Sequence, residues 1–112
     1  MTSVEEKKFL LDVLNSLESI NEFLENKRNF LEYKSSKIKQ RAVERELEII
    51  GEATRNLLKL NPNIQLSYAR IIVDLRNKII HSYDNINNAL IWKIIMKDIP
   101  VLEQEVKKLL KD

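Results

Sequence analysis

Glycine occurs once and proline twice in 112 residues. Average usage is roughly 7% and 5%, so the chain lacks the turn residues that a many-stranded sandwich or barrel needs. Eleven Asn are an alternative source of turns, but most lie inside or beside segments with a helical apolar period. The expectation is an all-α fold in a single domain, residues 1–112, since the length suits one domain and no linker-like stretch divides it. With 44% hydrophobic and 32% charged residues the chain can build a core and cover it, which argues against disorder.

Four segments carry the period. From Val4 to about Glu25, Phe9, Val13, Leu17, Ile20 and Leu24 recur at spacings of four and three, with Thr2 or Ser3 as the cap and Glu5 and Glu6 in the first turn. From about Ile38 to Leu60 the stripe is Val43, Leu47, Ile50, Ala53, Leu57 and Leu60, and Asn61-Pro62-Asn63 ends it. From about Ser67 to Tyr83 it is Ile72, Val73, Arg76, Ile79 and Ile80, with Asp84-Asn85 as the break. The last runs from near Asn87 to Leu110, and Pro100 within it either bends one helix or divides two. Short connections then predict an up-and-down four-helix bundle. The stretch ENKRNFLEYKSSK leaves room for a short extra helix around Phe30 to Tyr33, between the first and second.

The glycine falls at Gly51, in the middle of the second pattern, where it costs about 1 kcal/mol relative to Ala. The favoured reading is that another helix approaches the backbone closely at Ile50-Gly51-Glu52-Ala53; the alternative is a tolerated surface glycine.

The one His, His81, lies in LRNKIIHSYDN, where Arg76, Asn77, His81 and Tyr83 bring a fixed positive charge, an amide, an imidazole and a phenol within eight residues. That assortment suits phosphodiester chemistry. An imidazole can take the proton of an attacking hydroxyl or return one to a leaving oxygen, typically for about 10²- to 10⁴-fold, and a guanidinium neutralises charge growing on phosphoryl oxygens. When the 2′-hydroxyl of RNA is the nucleophile, no metal is required. On one helix, at about 100° per residue, Asn77 and His81 lie about 40° apart, whereas Arg76 and His81 diverge by about 140°. Either the helix unwinds before His81, or a second copy of the chain completes the site across a two-fold axis. Taken alone, one His beside an apolar helix face is more often structural than catalytic.

The string RNKIIHSY resembles the R-N-x-x-x-H-x-Y signature of HepT-like toxins of the HEPN superfamily. The similarity extends through ELEIIGEATRNL and IWKIIMKDIPVLEQEVKKLL, which resemble the family's I-G-E-A and W-x-I-I-x-x-D-L-P-x-L segments in the right order. The resemblance covers about the C-terminal two-thirds of the chain. It implies a small helical bundle that forms a homodimer, with Arg76 and His81 of two protomers lining a shared cleft that cleaves RNA without metal. It also implies a partner, a minimal nucleotidyltransferase antitoxin, which can transfer AMP to the tyrosine of the motif, here Tyr83. Ser82 holds a variable position, and Tyr68 stands where an aromatic, often Trp, is common.

The resulting expectation is a metal-independent endoribonuclease of the toxin type. Arg76 and His81 are its catalytic pair, Asn77 orients, and Tyr83 contacts substrate and carries the modification. The competing expectation is a non-catalytic helical protein that binds nucleotide or a nucleotidyltransferase through the same cleft. No cofactor is expected: a metal site would need a carboxylate cluster beside the single His. Lys34, Lys37, Lys39, Arg41 and Arg45 could track an RNA backbone with Tyr33 stacking on a base, but interrupting Glu44, Glu46 and Glu48 favour a solvated face. Trp92 is in phase with core residues, and Glu52 could either reach Arg76 or face solvent. A net charge of +2 argues neither for nor against nucleic acid. Apolar runs such as Ile71-Ile72-Val73 are far too short for a bilayer, and MTSVEEKKFLLDVL lacks the pattern of a secretory signal. Together with the absence of Cys this points to the cytoplasm.

Overall fold

Four of the helix starts are written by short polar side chains. In the computed structural model, which describes residues 2–27, 29–81 and 87–111, Ser3 caps α1 (Val4–Phe23) through a capping box. Its hydroxyl accepts from the Glu6 N–H at 3.1 Å while the Glu6 carboxylate accepts from the Ser3 N–H at 3.4 Å. Asn29 caps the short α2 (Phe30–Ser35), and Ser36 serves twice, as the end of α2 and as the N-cap of α3 (Lys37–Leu60). The Gln40 amide donates to the carbonyl of Lys34 and to that of Tyr33, which also accepts from the Ser36 N–H. Helix α4 (Ala69–His81) follows the Asn-Pro-Asn break, and Asn87 caps α5 (Asn88–Lys111), accepting from the N–H groups of Ala89 and Leu90.

The chain is therefore all-helical, with the short extra helix present and the four long ones near their expected bounds. The described residues contain no strand. The differences are local. Helix α1 stops at Phe23 rather than near Glu25, because Glu25 and Asn26 turn into the left-handed region at φ 54° and 58°. Their N–H groups cap the carbonyls of Glu22 and Asn21. Helix α4 begins at Ala69, two residues after Ser67, whose N–H and hydroxyl are both taken by the Glu105 carboxylate of α5. Pro100 divides nothing: α5 runs through it, with Pro100 and Met96 on the exposed side, where a carbonyl without a helical donor can turn to water.

The core is one apolar cluster fed by every helix, with Leu10, Val13, Leu17 and Ile20 of α1 and Val43, Leu47, Ile50 and Leu57 of α3 at its centre. Leu60, expected in the α3 stripe, is 43% exposed because the helix ends there. Helix α1 packs on α3 and α5, and α3 also receives α2 and α4. Helices α4 and α5 stand further apart, leaving a groove lined by Ile71, Leu75, Leu90 and Ile94. Among the described residues, no helix is long and apolar enough to cross a membrane.

Candidate active site

Helix α4 lies on α3 at Gly51, and the residue it brings there is Arg76. A Cβ placed on Gly51 would sit 2.5 Å from the Arg76 Cβ and 3.1 Å from its Cγ and Cδ. No other residue type fits without moving α4. The surface-glycine alternative is thus excluded, and the close approach turns out to be with a residue of the candidate site itself.

The next residue of α3 then meets the head of the same side chain. Glu52 Oε2 lies 3.0 Å from Arg76 Nη2, with the arginine 22% and the glutamate 45% exposed. Glu52 Oε2 is buried and has no aligned hydrogen-bond donor, so the contact is an ion pair by proximity. On the other side of the guanidinium, Arg76 Nη1 donates to the Asn77 side-chain oxygen at 3.4 Å. The two terminal nitrogens are held from different directions.

The imidazole is elsewhere. Helix α4 is continuous from Ala69 to His81, so it does not unwind before the histidine, and His81 points about 140° away from Arg76. Asn77 and His81 are both exposed, together with Arg70, Ile71, Asp74 and Lys78, and these residues form the outer face of α4. The structure brings together Arg76, Asn77 and Glu52, and leaves His81 apart from Arg76 within one protomer. Tyr83, the fourth residue of the motif, lies outside the described residues.

Arg76 lines an open cleft of about 360 Å³ between α1, α3 and α4, floored by Phe9, Ile49, Ala53 and Ile80. Its charges are matched. Lys8 pairs with Asp12 at 3.2 Å, Arg45 with Glu48 at 3.2 Å and Arg76 with Glu52 at 3.0 Å. The first two pairs join neighbours on one helix and are largely exposed, which limits each to about 0–1 kcal/mol. Only the third ties two helices together.

The basic run at the start of α3 is a solvated face rather than a continuous cationic track. Lys39 pairs with Glu32 at 2.8 Å, Arg41 with Glu44 at 3.2 Å and Arg45 with Glu48. Tyr33 is fully buried, its ring 5.3 Å from that of Trp92, which also meets Phe30 at 5.8 Å. It cannot stack on a base, and Trp92 packs in the bundle as its phase predicts. Burial pushes the Tyr33 hydroxyl well above the ordinary phenol range, with the Glu44 charge adding to it. Glu44 is itself buried, and its carboxyl is raised by desolvation against the opposing pull of Arg41. The signal for this cluster lay in the sequence, in the proximity of Phe30 and Tyr33 to the capping residues Asn29 and Ser36, but its partner Trp92 is remote along the chain.

Comparison with known proteins places the chain in a family. A family model described as "Ribonuclease HepT-like" matches residues 13–109. A "Probable ribonuclease HepT" of Thermococcus cleftensis is 36% identical over 109 residues, covering 94% of this chain and 96% of that protein. A "Putative RNase" of Methanocaldococcus jannaschii is 36% identical over 108 residues, covering 95% and 88%, and one of Caldanaerobacter subterraneus is 37% identical over 86 residues, covering 73% and 74%. No solved structure matches. With nearly the whole chain covered by the family model, and relatives above 30% identity matched almost end to end, the chain belongs to the HepT-like ribonuclease family.

Proposed function

We propose that this protein is a metal-independent endoribonuclease that acts as a homodimer. The observation that carries the proposal is the unbroken α4, which holds Arg76 against α3 and presents His81 on its free outer face. One protomer cannot aim both groups at one phosphate, and a two-fold axis that brings the two protomers' Arg76 and His81 to one shared cleft would supply each Arg76 with the partner's imidazole. In the cleavage step the O2′–P bond forms and the P–O5′ bond breaks. One imidazole takes the 2′-hydroxyl proton, the other gives a proton to the departing oxygen, and Arg76 neutralises the phosphoryl charge. The names of the relatives, which describe ribonucleases, support the same reaction class.

The role as a toxin neutralised by a minimal nucleotidyltransferase is part of this proposal and rests on the family resemblance of RNKIIHSY. Transfer of AMP to Tyr83 would set a negative phosphate and a bulky base near the site and compete with RNA for Arg76. Mass spectrometry after co-expression with such an enzyme should show AMP-sized increments on wild type and none on Tyr83→Phe.

One observation favours the second reading, a non-catalytic binder: Arg76 already has a counter-ion in Glu52. Incubation of purified protein with total RNA in EDTA, beside His81→Ala, decides between them. Cleavage by wild type alone supports the nuclease; no cleavage by partner-free wild type supports the binder. Light scattering at micromolar concentration should report twice the mass of the 112-residue chain, and a strict monomer that cleaves RNA would remove the composite site.

A further inference from the structure

Arg76 differs from the other cations of the cleft in how it is held. Lys8 and Arg45 have side chains 69% exposed and partners on their own helices, so their heads are free to swing. The Arg76 side chain is 22% exposed, its stem lies on the bare backbone of Gly51, Nη2 is 3.0 Å from Glu52 and Nη1 is 3.4 Å from Asn77. We propose that Glu52 is a positioning residue of this site, whose Oε2 fixes the Arg76 guanidinium in the orientation that meets a phosphate entering from the cleft between α1, α3 and α4. The inference rests on the ribonuclease reading above and adds to it a residue that touches no reacting atom.

Stability gives a weak reason for this carboxylate. A half-exposed ion pair contributes little, and an oxygen buried without an aligned donor detracts from what it does contribute. Geometry gives a strong one. A guanidinium presents its donors as a rigid planar fork, so drawing one terminal nitrogen to the Glu52 charge on α3 and the other to Asn77, with the stem lying on Gly51, restricts the plane in which the remaining N–H groups point. Misplacement of a catalytic group by about 1 Å can reduce rate by roughly 10²-fold. The same pairing tempers ground-state attraction for phosphate, since the positive charge is already partly answered. Loss of Glu52 should therefore lower kcat while leaving KM unchanged or smaller.

The test is Glu52→Gln, which keeps the shape and removes the charge. Steady-state cleavage of a fluorogenic RNA should show kcat reduced by roughly 10- to 100-fold with KM equal to or below that of wild type. The melting temperature should stay within a few degrees. The Arg76 Nε–Hε signal in ¹⁵N NMR should move, and inorganic phosphate should perturb it differently from wild type. An unchanged kcat, or a joint fall of kcat and melting temperature, would overturn the inference. If wild type does not cleave RNA, the ribonuclease reading fails by itself. The positioning role is then judged by the Arg76 signal under phosphate: identical titrations in wild type and variant overturn it, and divergent ones uphold it.

Discussion

Helix α4 meets its two neighbours in opposite ways. Against α3 it is so close that a single methyl group at position 51 would overlap the Arg76 Cβ. Against α5, its successor in the chain, it stands off across a groove of about 150 Å³ lined by Ile71, Leu75, Leu90 and Ile94. The tight seam contains a glycine and an interhelical ion pair; the loose seam is mostly apolar, with Ile71 46% and Leu90 37% exposed. The difference teaches that α4 is carried by α3, which sets the depth and rotation of Arg76. The loose side and the outer face, where His81 sits, remain open for whatever the helix meets.

If His81 on that outer face is the acid–base group, the largest effect comes from the residue with the smallest structural role. His81→Ala should reduce RNA cleavage in EDTA by about 10²- to 10⁴-fold, with the melting temperature unchanged because the side chain is exposed. A variant that cleaves at the wild-type rate would break the assignment of acid–base chemistry to His81.

Gly51→Ala tests the tight seam by setting two effects against each other. Helix propensity by itself predicts a gain of about 1 kcal/mol, whereas overlap with Arg76 predicts a net loss of about 1–3 kcal/mol. Thermal denaturation should show a fall of several degrees, roughly in proportion to that loss. A more stable variant would mean that α4 can slide on α3 without penalty.

The carboxylate–guanidinium pair Glu44–Arg41 lies within α3, away from both seams, and sharpens the contrast by its sign. Burial raises the Glu44 carboxyl, so the folded state favours the protonated form. The associated stability is present below the unfolded carboxyl range and lost as pH rises through the elevated folded value. Glu44→Gln should therefore be more stable than wild type at neutral pH and indistinguishable from it at about pH 4, close to the free glutamate value. Chemical denaturation at the two pH values reads the difference, and equal stabilities at both would show that Arg41 fully offsets the burial. Ile71→Ser, on the loose seam, should have the smallest effect, within about 0.5 kcal/mol in the same measurement, because Ile71 is already half exposed.

Much of the arrangement was legible along the chain. Val43, Leu47, Ile50, Ala53 and Leu57 are the buried stripe of α3, as their spacing predicts. A lone glycine among them announced a close approach. The spacing also exposed the mismatch between Arg76 and His81, because the angle between two residues on one helix follows from their separation. Tyr33 shows where such reading fails. Beside lysines it could be taken for a base-stacking residue, yet it is wholly buried against Trp92, fifty-nine positions later in the numbering.

The sequence by itself determined what depends on neighbours three or four positions apart: the helical period, the caps at Ser3 and Ser36, the break at Asn61-Pro62-Asn63, and the opposed directions of Arg76 and His81. Tertiary structure decided which helix Gly51 admits, that the admitted residue is Arg76, and that Glu52 reaches across to it rather than turning to solvent. It also decided that α4 stands away from α5. The reason is physical: local propensity and patterning fix which face of a helix is apolar, but a contact between helices is chosen by shape and charge over the whole packed surface, and no single segment contains both of its sides.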